Sequence, residues 1–438
     1  MKINMLKMGL VTALLAAAGC PLFAADWYVS PKGKNKNAGN APGSPFKSIW
    51  KAIDKAAPGD TIRIAEGKYY GKMNCGWIQL NKAVSLVGGY SADFASRDPL
   101  VHQTMLQPTN EQNATKPSMG TLTISAARAG KDAKILIDGI IFDHTLANSY
   151  HPVKGKPEGF QLGMWLQPPA KGKTKYSSLD RYALHANSDG ELIIQNCVFL
   201  NTSNYAVNVS HFTGSVKILN NVFIACRMVA AEVRSANAKP FLMTYEFAYN
   251  TVLFTWTRTS EMSDMGYGVR TNEGITANIH NNIFGLNCMA GFDNTKGISK
   301  KKKIKLDNNI FFLNKKADVA ITMSPNIKFM KVDGDGFDDL EEAEGFESVD
   351  KNLSLKDPAL FKGVLDPVYL QAFLNATYTE KTSYDPNSPV NTFRAALGMN
   401  KQGTIQTKVS MYANPYPAEN VMKFFGAVPN YGAQKPSR

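Results

Sequence analysis

Cysteine is scarce in this chain, five in 438 residues, and the six histidines form no metal-ligand cluster with it. A zinc ribbon or finger is thereby excluded, and a disulfide-dense scaffold has no footing. No glycine-rich phosphate loop and no serine nucleophile motif is present, so those two chemistries lack their signatures. Past the N-terminal segment no apolar run approaches the roughly 20 residues that span a bilayer. Acidic residues are also in short supply, 36 against 49 Lys and Arg, for a formal net charge of +13. Subtracting Lys2 and Lys7 with a cleaved leader leaves 13 − 2, or +11, an excess suited to an acidic partner. A generally basic surface would give the same total, and the run Lys300 to Lys303 contributes four charges from one expected loop. Nucleic acid is not the expected partner, because no nucleic-acid motif accompanies the charge.

What is there begins with Met1-Lys-Ile-Asn-Met-Leu-Lys7, an apolar run from Met8 to Ala18, and small residues at Ala24 and Ala25. This is the build of a secretory signal peptide, placed here at residues 1–25, and it implies export. Cys20 follows Ala17, Ala18 and Gly19, a loose lipoprotein box without the usual aliphatic residue three places earlier; soluble export is preferred to an anchor at Cys20. Cys197, Cys226 and Cys288 fall within or just after apolar strands and read as packed thiols.

A turn and strand recur along the chain: Asn196-Cys-Val-Phe199, Asn220-Asn-Val-Phe223, Asn250-Thr-Val-Leu253, Asn281-Asn-Ile-Phe284 and Asn308-Asn-Ile-Phe311. A fixed unit with loops of varying length explains the uneven spacing of the asparagines, and it is the mark of stacked coils. Asparagine suits the bend, since it tolerates left-handed backbone angles and its amide can bond the equivalent amide one coil away. The Phe, Leu, Val and Ile are expected inside as layers. Val84 to Tyr90 and Ile135 to Phe142 fit the scheme more loosely, and the stretch from Ser149 to Ser178 reads as a long loop protruding from one coil.

At the amino end Ile49, Ala52, Ile53 and Ala56 have helical spacing between Ser44-Pro45 and Pro58-Gly59, and Thr61-Ile-Arg-Ile64 then starts a strand. A short helix there would cover the open end of the first coil. Trp27-Tyr-Val-Ser30, Pro45 to Ile53, Pro58-Gly-Asp-Thr-Ile62 and Gly67-Lys-Tyr-Tyr70 resemble the opening of the pectate-lyase-like right-handed β-helix proteins. The resemblance covers about Trp27 to Leu313 and implies an all-β fold, a right-handed parallel β-helix with an N-terminal capping helix; from Asp350 onward the repeat fades, and Tyr412 to Gln434 reads as an irregular C-terminal tail against the last coils. The expected organisation is a β-helix over 26–330, then an acidic loop and a C-terminal segment, 331–438, packing on the last coils. Asp333-Gly-Asp-Gly-Phe-Asp-Asp339 lacks an oxygen ligand at Phe337 and a preceding helix, so it reads as a solvated acidic loop and not as a calcium loop.

The repeat sets a register between coils. Nine residues after the Phe stand Asn208, Glu232 and Asp293, and after an eight-residue insertion beyond Leu253 comes Arg270. Strand alternation turns these outward in one column, with Arg234 on the same face. Such a column could form a wall for a sugar chain or simply be the solvated side of a solenoid. From Asn208 to Asn272 the sequence resembles the chondroitinase B and alginate lyase family of polysaccharide lyases. That resemblance implies calcium at Asn208 and Glu232, Lys239 as a base, and Arg270 as the catalytic arginine following Asn250-Thr251. Arg234 stands where the family has another acidic ligand. The chemistry implied is β-elimination on an acidic, uronate-containing polysaccharide, with Arg234 and Asp293 among the substrate-binding groups. The alternatives are a glycoside hydrolase using Glu232 and Asp293, a uronate epimerase, or a non-catalytic glycan-binding protein using Trp165, Tyr176 and other loop aromatics.

Overall fold

The computed structural model describes residues 24–436, with breaks at 72–73, 75–77, 109–119, 128, 145–159, 162–163, 166–181, 238, 257–264, 273, 296–302, 324–325, 332–344, 379–384 and 402–414. The leader to residue 23, Cys20, Cys75, the acidic run at 333–339 and most of 149–178, including Tyr176, lie outside the described residues.

Parallel pairing builds three long stacks of strands, one strand per coil in each. The first starts with Asp26–Val29 and Thr61–Ala65 and ends with Ile304–Asp307 and Phe346–Ser348. The second starts with Ile78–Leu80 and Gly120–Ser125 and ends with Ala290–Thr295 and Ala317–Met323. The third runs from Gly67–Tyr69 to Leu353–Ser354. Two long strands, Tyr182–Gln195 and Val207–Leu219, pass through both the first and second stacks. Stacking of this kind makes a right-handed parallel β-helix, the hand that parallel crossovers take. Its last second-sheet strand is covered by an antiparallel partner, Asn326–Met330, which leaves no parallel edge exposed there. The helix Ile49–Lys55 buries Ile49, Ala52 and Ile53 against the first coil, as the spacing of those residues requires.

The coil repeat is stricter in space than in sequence. Phe142 and Phe199, 57 residues apart, are register partners on neighbouring coils. The asparagine turn divides into two roles that sequence reading had merged into one. The first residue takes the left-handed bend, with φ of +52° at Asn196, +58° at Asn220, +56° at Asn281 and +55° at Asn308. The second residue forms a buried amide ladder: Asn221 Nδ2 donates to Asn250 Oδ1 at 3.0 Å, Asn250 to Asn282 at 3.1 Å, Asn282 to Asn309 at 2.9 Å, and Asn309 to Asn352 at 3.0 Å. Asn250 therefore aligns with Asn221 and not with Asn220, and Tyr249 takes the bend at φ +55°. This corrects the register by one residue: Val252, not Leu253, pairs with Phe223 and Phe284.

Inside, a column of rings follows the same register. Phe142, Phe199 and Phe223 stack at 4.9 Å per step. Where Val252 interrupts it, Phe247 of the first sheet fills the gap, 6.0 Å from both Phe223 and Phe284, before Phe311 continues at 5.2 Å. Cys197, Cys226 and Cys288 are buried thiols in no disulfide, and burial pushes the Cys197 and Cys226 thiols up to about 12.

The C-terminal segment reaches further than the last coils. Two helices, Pro367–Thr377 and Pro389–Ala396, and two 3-10 turns, Pro358–Phe361 and Ala418–Phe424, carry Phe361, Leu370, Phe373, Phe393 and Phe424 against Leu200, Ile224, Leu253 and Phe312 on the outside of the third sheet. The bend asparagines hold it by backbone contacts. Asn201 exchanges two hydrogen bonds with Tyr416, and Asn220 exchanges two with Gln434. The outer apolar face of the third sheet is thus a second core, which explains why its strands are apolar on both sides.

Candidate functional site

The second sheet presents the other outward face. Its strands Val207–Leu219, Val229–Ser235, Tyr267–Asn272 and Ala290–Thr295 put Asn208 beside Glu232, Glu232 beside Arg270, and Arg270 beside Asp293. The column expected from the repeat exists in space. One coil earlier it continues to His185, which pairs in register with Asn208, and one coil later it ends at Ala320. Sequence reading missed His185 because its coil is separated from the preceding one by the long 145–181 interval, so no spacing pointed to it.

The column is not the open stripe that strand alternation suggests. Asn208, Glu232, His185 and Asp293 are buried, and the Arg270 side chain is 13% exposed. Tyr267 and Met265, which both touch the Arg270 guanidinium, belong to a cluster with Tyr205, Met228, Val229, Met289, Ala290, Ala317 and Ala320. The Tyr182 ring stacks on His185 at 5.1 Å, with Tyr205 tilted against it.

Buried charges must be paired, and Arg270 is. Its Nε donates to Asp293 Oδ2 at 2.8 Å, and its guanidinium lies 4.3 Å from the centre of the Tyr267 ring. Burial works against the charge on Arg270, but attraction from Asp293, Tyr205, Glu232 and Tyr267 outweighs it and raises its pKa. On Asp293 burial is the stronger influence and raises the pKa against the pull of Arg270. The other Asp293 oxygen accepts from Thr322 Oγ1 at 2.8 Å. His185 Nδ1 lies 3.2 Å from Asn208 Oδ1; with the amide oxygen as acceptor, Nδ1 carries the proton and Nε2 the lone pair. Burial first, and the charge of Arg234, hold the imidazole below its ordinary pKa despite that bond.

Arg234 differs from its neighbours in being exposed. Its Nε donates to Ser210 Oγ at 2.6 Å, and Ser210 is its register partner on the preceding coil. Lys239 is exposed and outside the column, in the turn after Val229–Ser235, where its backbone N–H donates to Asn237 Oδ1 at 3.1 Å. The second sheet gathers Asn208, Glu232, Arg234, Arg270 and Asp293 on one face; it does not gather Lys239.

The calcium implied at Asn208 and Glu232 does not fit this donor set. Calcium takes six to eight oxygens, and here one amide oxygen, already facing His185, and one carboxylate are followed by two guanidiniums. Among the described residues no group of three or more His, Cys, Asp or Glu could hold a metal ion.

The fold and this face define a parallel β-helix protein with a charged, partly buried column on one sheet. A family described as a protein of unknown function (DUF1565) matches residues 31–129. No curated protein sequence matches the chain significantly. Among solved structures it is similar to XylC in complex with xylose, at 12% identity and a TM-score of 0.37, over 68% of this chain and 63% of that one. It is also similar to pectate lyase Pel9A, at 11% identity and TM-score 0.35, over 68% and 77% of the two chains. Polygalacturonase from Erwinia carotovora ssp. carotovora matches at 10% identity and TM-score 0.34, over 76% and 94%. The chain thus spans about 63% of the length of the first of these structures. No helix of the described residues is long and apolar enough to cross a membrane.

Proposed function

We propose that the protein is exported and that the outer face of the second sheet binds an acidic polysaccharide and cleaves it by β-elimination at a uronate. The observation that carries this reading is the in-register run Glu232, Arg270, Asp293, with the exposed Arg234 beside it. Eliminating across a uronate removes the proton next to the sugar carboxylate, which requires that carboxylate to be neutralised as the enolate forms. Two guanidiniums on one face supply that charge, and Asp293 holds one of them in place. The lyase resemblance assigns the proton abstraction to Lys239, which stands exposed in the turn after Val229–Ser235, outside the column. The excess of 13 − 2, or +11, formal charge left after loss of the leader with Lys2 and Lys7 favours a polyanion at longer range.

A hydrolase working through Glu232 and Asp293 is disfavoured. Asp293 is fully buried with both oxygens engaged, by Arg270 and Thr322, and is not placed to act as a free acid or nucleophile. Incubation with polygalacturonate, alginate, and chondroitin and dermatan sulfates tests the reading by ultraviolet absorbance of the unsaturated uronate. One substrate is expected to yield unsaturated ends, with Lys239→Ala and Arg270→Lys each lowering the rate about 100-fold or more. Saturated reducing ends, or full activity in both variants, would refute the mechanism.

A further inference from the structure

Resting on that substrate class, we infer that the carboxylate of the bound uronate is neutralised directly by Arg234 and Arg270, without a divalent cation, and that Asn208 serves His185 in place of a metal. Three features lead there. Arg234 is tethered through Nε to Ser210 Oγ, which fixes the plane of its fork. Among the described residues its Nη1 and Nη2 atoms have no hydrogen-bond or ion-pair partner, so the edge that grips a carboxylate in two parallel bonds is unspent. Arg270 already has Asp293, whereas Arg234 has no counter-ion within the described protein. An anion arriving from outside meets, in Arg234, a guanidinium edge that no described carboxylate occupies.

The same geometry argues against a cation between Asn208 and Glu232. Asn208 Oδ1 is the acceptor for His185 Nδ1. The next outward positions, Arg234 on the Glu232 strand and Arg270 on the next coil, stand roughly one or two side-chain spacings away and repel a dication. Arginine is suited to the replacement because its charge survives partial burial and its fork matches a carboxylate.

The test uses the full chain freed of its leader, after EDTA treatment, with short oligomers of galacturonate, guluronate, mannuronate and chondroitin as probes. Calorimetry reads binding with EDTA or with added calcium chloride, and a thermal scan reads calcium binding by itself. The expected result is affinity unchanged by EDTA, at least a tenfold loss in Arg234→Ala with unchanged melting temperature, and partial recovery in Arg234→Lys. Binding abolished by EDTA and restored by calcium would overturn the inference, as would a saturable calcium-induced rise in melting temperature that Glu232→Gln removes. If no oligomer binds in either condition, the polysaccharide reading falls. The calcium scan still decides whether the column takes a cation.

Discussion

Moving one aromatic ring between two strands tests whether the phenylalanine column is a single continuous packing unit. Phe247 belongs to the first sheet but occupies the place left open by Val252, lying 6.0 Å from both Phe223 and Phe284. It is fully buried, so Phe247→Ala removes a whole ring and leaves a cavity, at a cost of about 3–5 kcal/mol. Val252→Phe puts a ring in register between Phe223 and Phe284 while Phe247 still fills that volume, and overpacking costs about 1–3 kcal/mol. With both changes the new ring occupies the vacated space and continues the 4.9 Å stacking seen at Phe199 and Phe223. The double variant is then expected to be less destabilised than the sum of the singles by about 2 kcal/mol or more. Chemical denaturation followed by circular dichroism and by fluorescence measures all four proteins, the two probes checking that the coils unfold together. Additivity within about 0.5 kcal/mol would show that the two sites do not share a volume and would refute the argument.

The amide ladder supplies a second expectation. Asn250 donates to Asn282 Oδ1, Ile218 O and Ala248 O and accepts from Asn221 N and Nδ2, so Asn250→Ala strands several buried groups and is expected to cost at least about 3 kcal/mol. Asn220→Gly, at a bend that favours glycine at φ +58°, should cost about 1 kcal/mol, and equal losses in the two variants would contradict the division of roles. Stability should also depend on pH through His185 and His211, both held below the ordinary pKa, chiefly by burial. Between their folded values and about 6.5 the unfolded chain binds more protons, so stability is full above that pH and falls as the solution is acidified. Melting temperatures from about pH 7.5 down to pH 5 should decline, with a shallower slope in His211→Gln; an unchanged slope would remove His211 from the account.

Much of the fold was legible in the chain because a stacked coil writes its geometry locally. Each turn needs a residue that accepts a left-handed angle, each strand alternates inward and outward, and Asn196, Asn220, Asn281 and Asn308 mark the period directly. Alternation also put Asn208, Glu232, Arg270 and Asp293 in one column, since side-chain direction follows from strand register alone. The exception was Asn250: Asn-Thr-Val-Leu imitates the repeat locally, and only pairing across coils shows it to be one residue out of phase.

Tertiary structure decided what the column has become. Asn208, Glu232 and Asp293 are buried although strand alternation turns them outward, and no local pattern records that. The bond between His185 and Asn208 joins neighbouring coils, and it assigns to an imidazole an oxygen that sequence likeness assigned to calcium. The C-terminal segment shows the same division: the sequence placed it on the last coils, but only the folded chain shows it lying along the third sheet and clasped by Asn201 and Asn220. Period and facing are properties of neighbours along the chain, whereas burial, pairing and charge balance depend on residues that meet only after the coils have stacked.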